Sequence, residues 1–318
     1  MFALRGARLP LFLVLSLVLA LSGFSLLFSQ ANPAPANKKG PASPNQNQTG
    51  FRPGARANRK HVLAWADVRN GSQHESIWHA LATIEKLGHD SGVYDTIFRT
   101  DSQVITKDNA MQSGPEATPG RGLVNLNAFD AIFFYGAAGI DLTPAQKADL
   151  LSFVKDDGKG FVAVHTSELA FPSWPEYGEL IGGRYDEHPW TTEAPVIVED
   201  RNFPATKHFP PVFNLREEFY QTKDFSRDKI RVLLRLDASK VDLTRPLVHR
   251  TDKDFPLVWA KMYGKGRVFV SLLNHEINSW DNSDLQTMYL EAIKWSMGMT
   301  DADITPRPMP APAEGTSR

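Results

Sequence analysis

The sequence predicts an α/β fold in which a doubly wound, mostly parallel sheet carries an antiparallel extension. Two observations lead to this fold class. In the first part of the globular region, short apolar runs alternate with stretches of helical spacing, which is the pattern of βαβ units. Beyond Gly183 several strand-like runs follow one another, and Tyr-Gly-Lys-Gly at residues 263–266 is typical of a hairpin turn.

The elements of the parallel half follow from local patterns. Apolar residues recur at helical spacing up to Gly88, and Thr143 with Pro144 is typical of a helix start, with the threonine as N-cap. The last strand of this half is apolar at nearly every position, so we expect it to be buried on both faces. The predicted strands are residues 61–68, 93–98, 129–135 and 160–165, and the predicted helices are residues 74–89 and 143–157.

The antiparallel half is predicted from four further apolar runs and a closing amphipathic helix. The strands are residues 195–199, 231–236, 256–262 and 267–273, and the helix is residues 284–295. Together the two halves form one predicted domain over residues 60–299. Residues 31–59 and 300–318 are rich in Pro and Ala and have no hydrophobic period, so we expect a disordered linker and a disordered tail.

Residues 1–30 predict a secretory signal peptide or an uncleaved N-terminal membrane anchor. Arg5 and Arg8 precede an uncharged apolar run at residues 11–28, and small residues follow it. The run is long for a signal peptide and just long enough to span a bilayer, so both alternatives stay open. In either case we expect the rest of the chain to be exported, to the periplasm or to the outer face of the inner membrane. The N-terminal segment is then its contact with the membrane.

Composition excludes several classes of protein and site. Lys and Arg number 35 against 36 Asp and Glu, giving a net charge of −1 that argues against a nucleic-acid partner. The chain has no cysteine, so a cysteine nucleophile, an iron–sulfur centre and a cysteine-ligated zinc are excluded. The glycines at 136 and 139 form no dinucleotide fingerprint, and neither a P-loop nor a G-x-S-x-G elbow occurs. No nucleotide cofactor is therefore expected.

Histidines and carboxylates follow the predicted strands. Because the carboxyl ends of parallel strands meet at one edge of a sheet, we expect four histidines and one glutamate to line a single cleft. They are His74, His165, His188, His275 and Glu218. We predict His165 as a general base or metal ligand, His74 and His275 as further ligands, and Glu218 as a proton carrier or ligand.

Five more residues are predicted to complete this cleft. Glu75 and Glu276 would orient the histidines, Trp190 would stand at the mouth, and Tyr220 and Asp67 would contact substrate. Aromatic side chains beside polar groups at a cleft are typical of sugar binding. The alternative is that each histidine stabilises only its own turn, since the spacings match no compact zinc motif.

These residues, in this order, resemble the ThuA-like family, the trehalose-utilisation proteins. The resemblance covers residues 61–298. It rests on Gly71 with His74-Glu75, on residues 158–165, on Gly182-Gly183 with Tyr185 and His188-Pro189, on residues 217–220, and on residues 256–269. The segment Asn274-His275-Glu276 stands where the family usually has Gly-His-Asp.

The resemblance implies a flavodoxin-like, class I glutamine amidotransferase-like fold. Amidotransferases carry a nucleophilic cysteine at the turn that His165 occupies here, so glutamine hydrolysis through a thioester is excluded. The family is linked to trehalose metabolism and to 3-keto sugars made by a partner oxidoreductase. This implies an enzyme that processes a 3-keto disaccharide or glycoside by hydrolysis, elimination or isomerisation. Some members resemble metal-binding proteins, so a divalent metal such as zinc is the cofactor to expect.

Two interpretations of function remain at this point. The first is an exported enzyme that uses histidine and carboxylate acid–base chemistry, with or without a metal. The second is a non-catalytic carbohydrate-binding domain tethered to the cell envelope. The expected partner is a small carbohydrate in both cases, and assembly into a homo-oligomer stays open.

Overall fold

The computed structural model describes residues 59–69, 74–108, 124–136 and 138–310. The predicted signal or anchor segment, nearly all of the predicted linker, Gly71 and the last eight residues of the predicted tail lie outside these ranges. Among the residues described, no helix is long and apolar enough to cross a membrane.

Five parallel strands form the first half of the sheet within the described ranges. They are β1 (Lys60–Trp65), β2 (Tyr94–Arg99), β3 (Ala131–Tyr135), β4 (Gly160–Val164) and, from the end of the domain, β9 (Gly266–Ser271). Their spatial order is β2-β1-β3-β4-β9. This is the flavodoxin-like order, with β9 as the fifth strand. The predicted parallel half is confirmed, and β9, predicted within the extension, joins it.

The antiparallel half continues the sheet from β9. It contains β5 (Arg184–Val198), β6 (Val212–Lys223), β7 (Arg231–Leu236) and β8 (Pro256–Tyr263), in the order β9-β8-β7-β5-β6. The strand predicted at residues 195–199 is the end of a much longer strand, and β6 was not predicted. A proline lies inside β5 at position 189, which the sheet accommodates through register shifts between Tyr185 and Trp190.

Much of the β5–β6 hairpin extends beyond the rest of the sheet. β5 pairs with β7 only through Val196, Ile197 and Val198, whereas it pairs with β6 along nearly its whole length. In residues 184–195 and 214–223, β5 and β6 pair with each other and with no further strand among the residues described. We call these residues the arm. The arm contributes to the candidate site described below.

Helices cover both faces of the parallel half. On one face lie α1 (Ser76–Ser91) and α4 (Ser283–Ser296), and on the other lie α2 (Pro144–Lys155) and α3 (Pro175–Ile181). Thr143 is the N-cap of α2, as the sequence predicted, and it forms a capping box with Gln146. Trp78 on α1 is 50% exposed, because it lies one position after the buried Ile77 and so faces outward.

Residues 300–310 form neither helix nor strand but contact the domain. The buried Arg231 donates a hydrogen bond to the carbonyl of Thr305 at 2.8 Å, and Ile304 packs against the core. This part of the predicted tail is therefore anchored by specific contacts.

Candidate functional site

Four side chains converge at the carboxyl edge of the parallel sheet. His74, His165, Glu218 and His275 each offer one potential ligand atom, and these four atoms lie within 4.8 Å of one another. His74 precedes α1, His165 follows β4 and His275 lies just beyond β9, while Glu218 comes from the arm. The structure thus brings together the strand-end residues that the sequence placed at one edge.

His165 occupies a strained turn at the end of β4. Its φ of 46° is left-handed, a conformation that costs a residue with a Cβ about 1–2 kcal/mol. The neighbouring strand end packs directly against this turn, because a Cβ on Gly136 would come within 2.9 Å of the Cα of Ser167. Such strain persists where the surroundings fix it, and it is concentrated at functional sites.

The ring of His165 is held in one orientation. It is fully buried, and its Nδ1 donates a hydrogen bond to the carbonyl oxygen of Leu272 at 2.9 Å. In the neutral ring the lone pair is then on Nε2. That nitrogen lies 3.1 Å from Nδ1 of His275 and 3.4 Å from Oε2 of Glu218. The acceptor nitrogen of His165 therefore faces the cluster.

His275 follows a second left-handed residue, Asn274, whose φ is 74°. Asparagine adopts this conformation more readily than most residues, and three donors hold it here. Tyr135 Oη and Trp280 Nε1 donate to its carbonyl at 3.0 and 3.2 Å, and Tyr289 Oη donates to its side-chain oxygen at 3.0 Å. These contacts fix the direction in which His275 leaves the strand.

Glu217 ties the arm to the same turn. Its buried carboxylate accepts hydrogen bonds from the backbone N–H groups of Asn274 at 2.7 Å, His275 at 2.9 Å and Glu218 at 3.1 Å. Burial raises the pKa of Glu217, and the electrostatic interaction with His165 and the three N–H donors oppose that rise. One carboxylate thus connects β6 to the turn after β9.

Glu218 is the next residue along β6 and faces the cluster. Its Oε2 lies 3.1 Å from Nδ1 of His275, and its Oε1 lies 3.8 Å from Nε2 of His188. Burial alone would raise the pKa of Glu218, but contacts with His165 and His275 outweigh it and hold that pKa well below its usual range. The same hydrogen bond raises the pKa of His275.

His74 completes the cluster as a neutral ring. Its centroid lies 5.0 Å from that of His165 and 4.7 Å from that of His275. Burial lowers the pKa of His74 to about 4, and the two neighbouring imidazoles add to this effect. A neutral imidazole is the form that binds metal ions.

Two cavities open onto the cluster and meet at His74. The first, of about 260 Å³, is lined with His74, Thr166, Leu169, Tyr185, His188, Glu218 and Tyr220. The second, of about 300 Å³, is lined with His74, Glu75, Ser76, His275, Glu276 and Ile277. In the first cavity Tyr185 Oη is hydrogen-bonded to Nδ1 of His188, which leaves the other ring nitrogen facing Glu218.

The remaining predicted residues are placed differently. The Tyr220 ring lies 4.4 Å from the His165 ring and borders the first cavity. Glu75 and Glu276 form walls of the second cavity. In the described part of the chain neither glutamate makes a hydrogen bond to a clustered histidine, so they contribute walls rather than the predicted orienting contacts.

Two predicted residues do not reach the cleft. Trp190 is 2% exposed and donates through Nε1 to the carbonyl of Asp242 at 3.0 Å, because its position on β5 faces the core. The prediction that it stands at the mouth was wrong. Asp67 instead pairs with Arg69 in its own turn and accepts a hydrogen bond at 2.6 Å from Ser102, which follows β2.

Sequence reasoning missed the roles of Glu217 and Tyr185. Glu217 was noted only within the family motif, although it is the residue that joins the arm to β9. An apolar alternation at Phe213, Leu215 and Phe219 would have placed Glu217 on the inner side of a strand. Tyr185 was likewise noted only as part of a glycine-rich motif.

Comparison with known proteins identifies the family. The family model for ThuA, described as trehalose utilisation, matches residues 61–296. The chain belongs to the ThuA family. No curated protein matches this ThuA chain.

Solved structures of other ThuA-like proteins share the fold of this ThuA chain. One from Bacteroides uniformis has 19% sequence identity and a TM-score of 0.58, covering 76% of this chain and 93% of that one. One from Parabacteroides merdae has 15% identity and a TM-score of 0.56, covering 77% and 92%. At such identities the likeness shows the fold alone. The predicted α/β fold, a mostly parallel sheet with an antiparallel extension, is confirmed.

Proposed function

We propose that this ThuA domain is a metal-dependent enzyme of carbohydrate metabolism. His74, His165, His275 and Glu218 bind one divalent transition-metal ion, and the adjoining cleft takes a ketone-bearing disaccharide or glycoside. The observation that carries the proposal is the convergence of three imidazoles and one carboxylate beside a cavity.

The donor set fits such an ion. Zinc–ligand bonds place neighbouring ligand atoms about 3.0–3.5 Å apart, and three separations in the cluster, 3.1, 3.1 and 3.4 Å, lie in that range. His165 also donates its other ring nitrogen to a backbone carbonyl, as metal-bound histidines usually do. Imidazoles with one carboxylate favour zinc, iron or nickel over magnesium or calcium.

The proposed chemistry is proton transfer at the carbon next to a ketone. A bound ion of this type supplies Lewis acidity towards the carbonyl oxygen of a substrate. His188 is the residue that holds and moves the proton at its Nε2, because its side chain is 45% exposed and borders the first cavity. Tyr185 orients that ring through Nδ1. The buried His165 is assigned as a ligand rather than as the base.

The substrate class rests on the family and on the shape of the site. The matched family is described as trehalose utilisation, which supports a carbohydrate. Tyr185 and Tyr220 are among the residues that line the first cavity, and aromatic side chains beside polar groups suit a sugar ligand. The second cavity, on the other side of His74, has room for a further part of the molecule.

We also propose that the enzyme is exported, and N-terminal sequencing of native protein tests this.

Elemental analysis tests the metal centre. We expect about one equivalent of a transition metal in the purified domain, and its loss in a His165→Ala variant. His89→Ala is the matched control, because that side chain is exposed at the end of α1 and its hydrogen bond among the residues described is with its neighbour Asp90. Protein that takes up no metal, even after reconstitution with zinc, iron or nickel, contradicts the proposal.

A substrate screen tests the reaction. The metal-loaded enzyme is incubated with 3-keto-disaccharides and with the parent disaccharides, and the released sugars are quantified. We expect turnover of the keto compounds alone and its loss in His188→Asn. Equal turnover by wild type and His188→Asn would remove His188 from the mechanism.

A further inference from the structure

A further cavity, of about 540 Å³, shares no lining residue with the two cavities of the cluster. Its walls come from α3, from the start of β5, from the segment between β6 and β7 and from the last residues of β8. Charged side chains dominate its lining, namely Glu179, Arg184, Asp224, Lys229 and Lys261. The proposed reaction of the cluster uses none of them.

Lys261 is the unusual member of this set. It is partly buried, its Nζ donates to the backbone carbonyl of Glu179, and it lies 5.7 Å from the centre of the Tyr263 ring. Within the described part of the chain it has no carboxylate at ion-pair distance. Burial lowers the pKa of Lys261 to about 8; the Glu179 carboxylate partly opposes this and nearby Lys229 adds to it.

We infer that Lys261 is an imine-forming site for small carbonyl compounds that carry a negative charge, such as 2-oxo acids. An amine that is shielded from water and stands beside a second cation is the environment in which lysines form Schiff bases. The neutral Nζ forms a bond to the carbonyl carbon, and the carbonyl oxygen leaves as water with the two amine hydrogens. The step needs neither oxidant nor reductant and reverses by hydrolysis.

The preference for an anion comes from the cations around Lys261. Lys229 has no carboxylate at ion-pair distance among the described residues, and it lines the same cavity. Arg184 forms an ion pair with Asp224 at 3.5 Å, and the Asp224 side chain is largely exposed. A carboxylate on the ligand would therefore give Lys229 a partner while its carbonyl carbon meets Lys261.

Reductive trapping on the full chain tests the site. The protein is treated near neutral pH with glyoxylate and sodium cyanoborohydride, which reduces an imine to a stable amine, and modified peptides are mapped by mass spectrometry. We expect Lys261 to react at least about tenfold faster than the exposed Lys207, because each unit of pKa lowering raises the neutral amine fraction about tenfold. Equal rates at the two lysines would overturn the inference.

Two variants and a second reagent separate its parts. Lys261→Arg keeps the charge and should lose the rapid adduct while retaining the circular dichroism spectrum and the metal content. Glycolaldehyde has no charge, so wild type should react with it more slowly than with glyoxylate, and Lys229→Gln should remove that difference. Equal reaction of wild type with both reagents would show that the cations select nothing, and the anionic ligand class would then be wrong.

Discussion

The parallel edge and the arm contribute to one cluster by different means. At the edge, His165 and His275 leave buried strands through left-handed turns, and contacts near these turns fix the ring of His165 and the direction in which His275 leaves its strand. On the arm, Glu218 reaches the cluster because β5 and β6 extend past β7 and Glu217 binds the turn before His275. Local backbone turns thus position the histidines of the edge, whereas long-range strand pairing positions Glu218. The cluster is therefore complete only when the arm is docked.

Removing one ligand from each region has the largest expected effect. His165→Ala takes a ligand from the edge and Glu218→Ala takes one from the arm. Loss of an orienting contact typically lowers metal affinity about 10–100-fold, so loss of a ligand should exceed about 100-fold. Competition with a chelator measures zinc affinity, with His89→Ala as the unaffected control. If Glu218→Ala binds zinc as wild type does, the arm contributes no ligand.

The free energy of unfolding should depend on pH through Glu168, which lies where the edge and the arm meet. This residue lies in the turn that begins at His165, and its carboxyl group faces Thr222 and Gly183 at the end of the arm where β5 begins and β6 ends. Burial raises the pKa of Glu168 to about 8; Thr222 partly opposes this and Asp186 adds to it. The folded state therefore binds a proton that the unfolded state releases near pH 4.5.

The sign of the effect follows from this raised pKa. The stabilising contribution of Glu168 is complete below about pH 4.5 and is lost as pH rises towards about 8, by up to about 1.4 kcal/mol per pH unit. Urea unfolding across this range should show a shallower decline for Glu168→Gln than for wild type. Parallel profiles for the two proteins would mean that Glu168 does not titrate in the folded state.

Glu217→Gln tests whether the arm positions the edge. The amide retains one acceptor oxygen but places an NH₂ group against N–H donors of Asn274 or His275. Glu217 is not one of the proposed metal ligands. We therefore expect the zinc affinity to fall about 10–100-fold while the metal stoichiometry is retained. Glu193→Gln, an exposed glutamate on the same arm, is the matched control. Wild-type affinity in Glu217→Gln would show that the edge is correctly oriented without the arm.

The same division explains what could be predicted from the sequence. The position of His165 at the edge was predictable, because a continuous apolar run predicts a buried strand and His165 directly follows such a run. The arm was harder to predict, because the charged Glu217 stands at an inward-facing position between Leu215 and Phe219 on β6, and Pro189 interrupts β5. Trp190 was misplaced for the same reason, since its direction depends on a register that the bulged segment shifts. Glu218 could be named as a cluster residue from the family motif at residues 217–220. Its position beside the histidines could not, because that position depends on the pairing of β5 with β6.

Tyr289→Phe has the smallest expected effect and tests the edge by itself. The change removes the hydroxyl that donates to the side chain of Asn274 at 3.0 Å and contacts Ser271 at 3.1 Å. Because a buried hydrogen bond contributes about 1 kcal/mol, urea unfolding should show a loss of about 1–2 kcal/mol. Zinc affinity should change by less than about tenfold, below the range for orienting contacts, since Tyr135 and Glu217 still hold the turn. A fall in affinity as large as that of Glu217→Gln would mean that the left-handed turn depends on every one of its contacts, and the edge would then be no more self-sufficient than the arm.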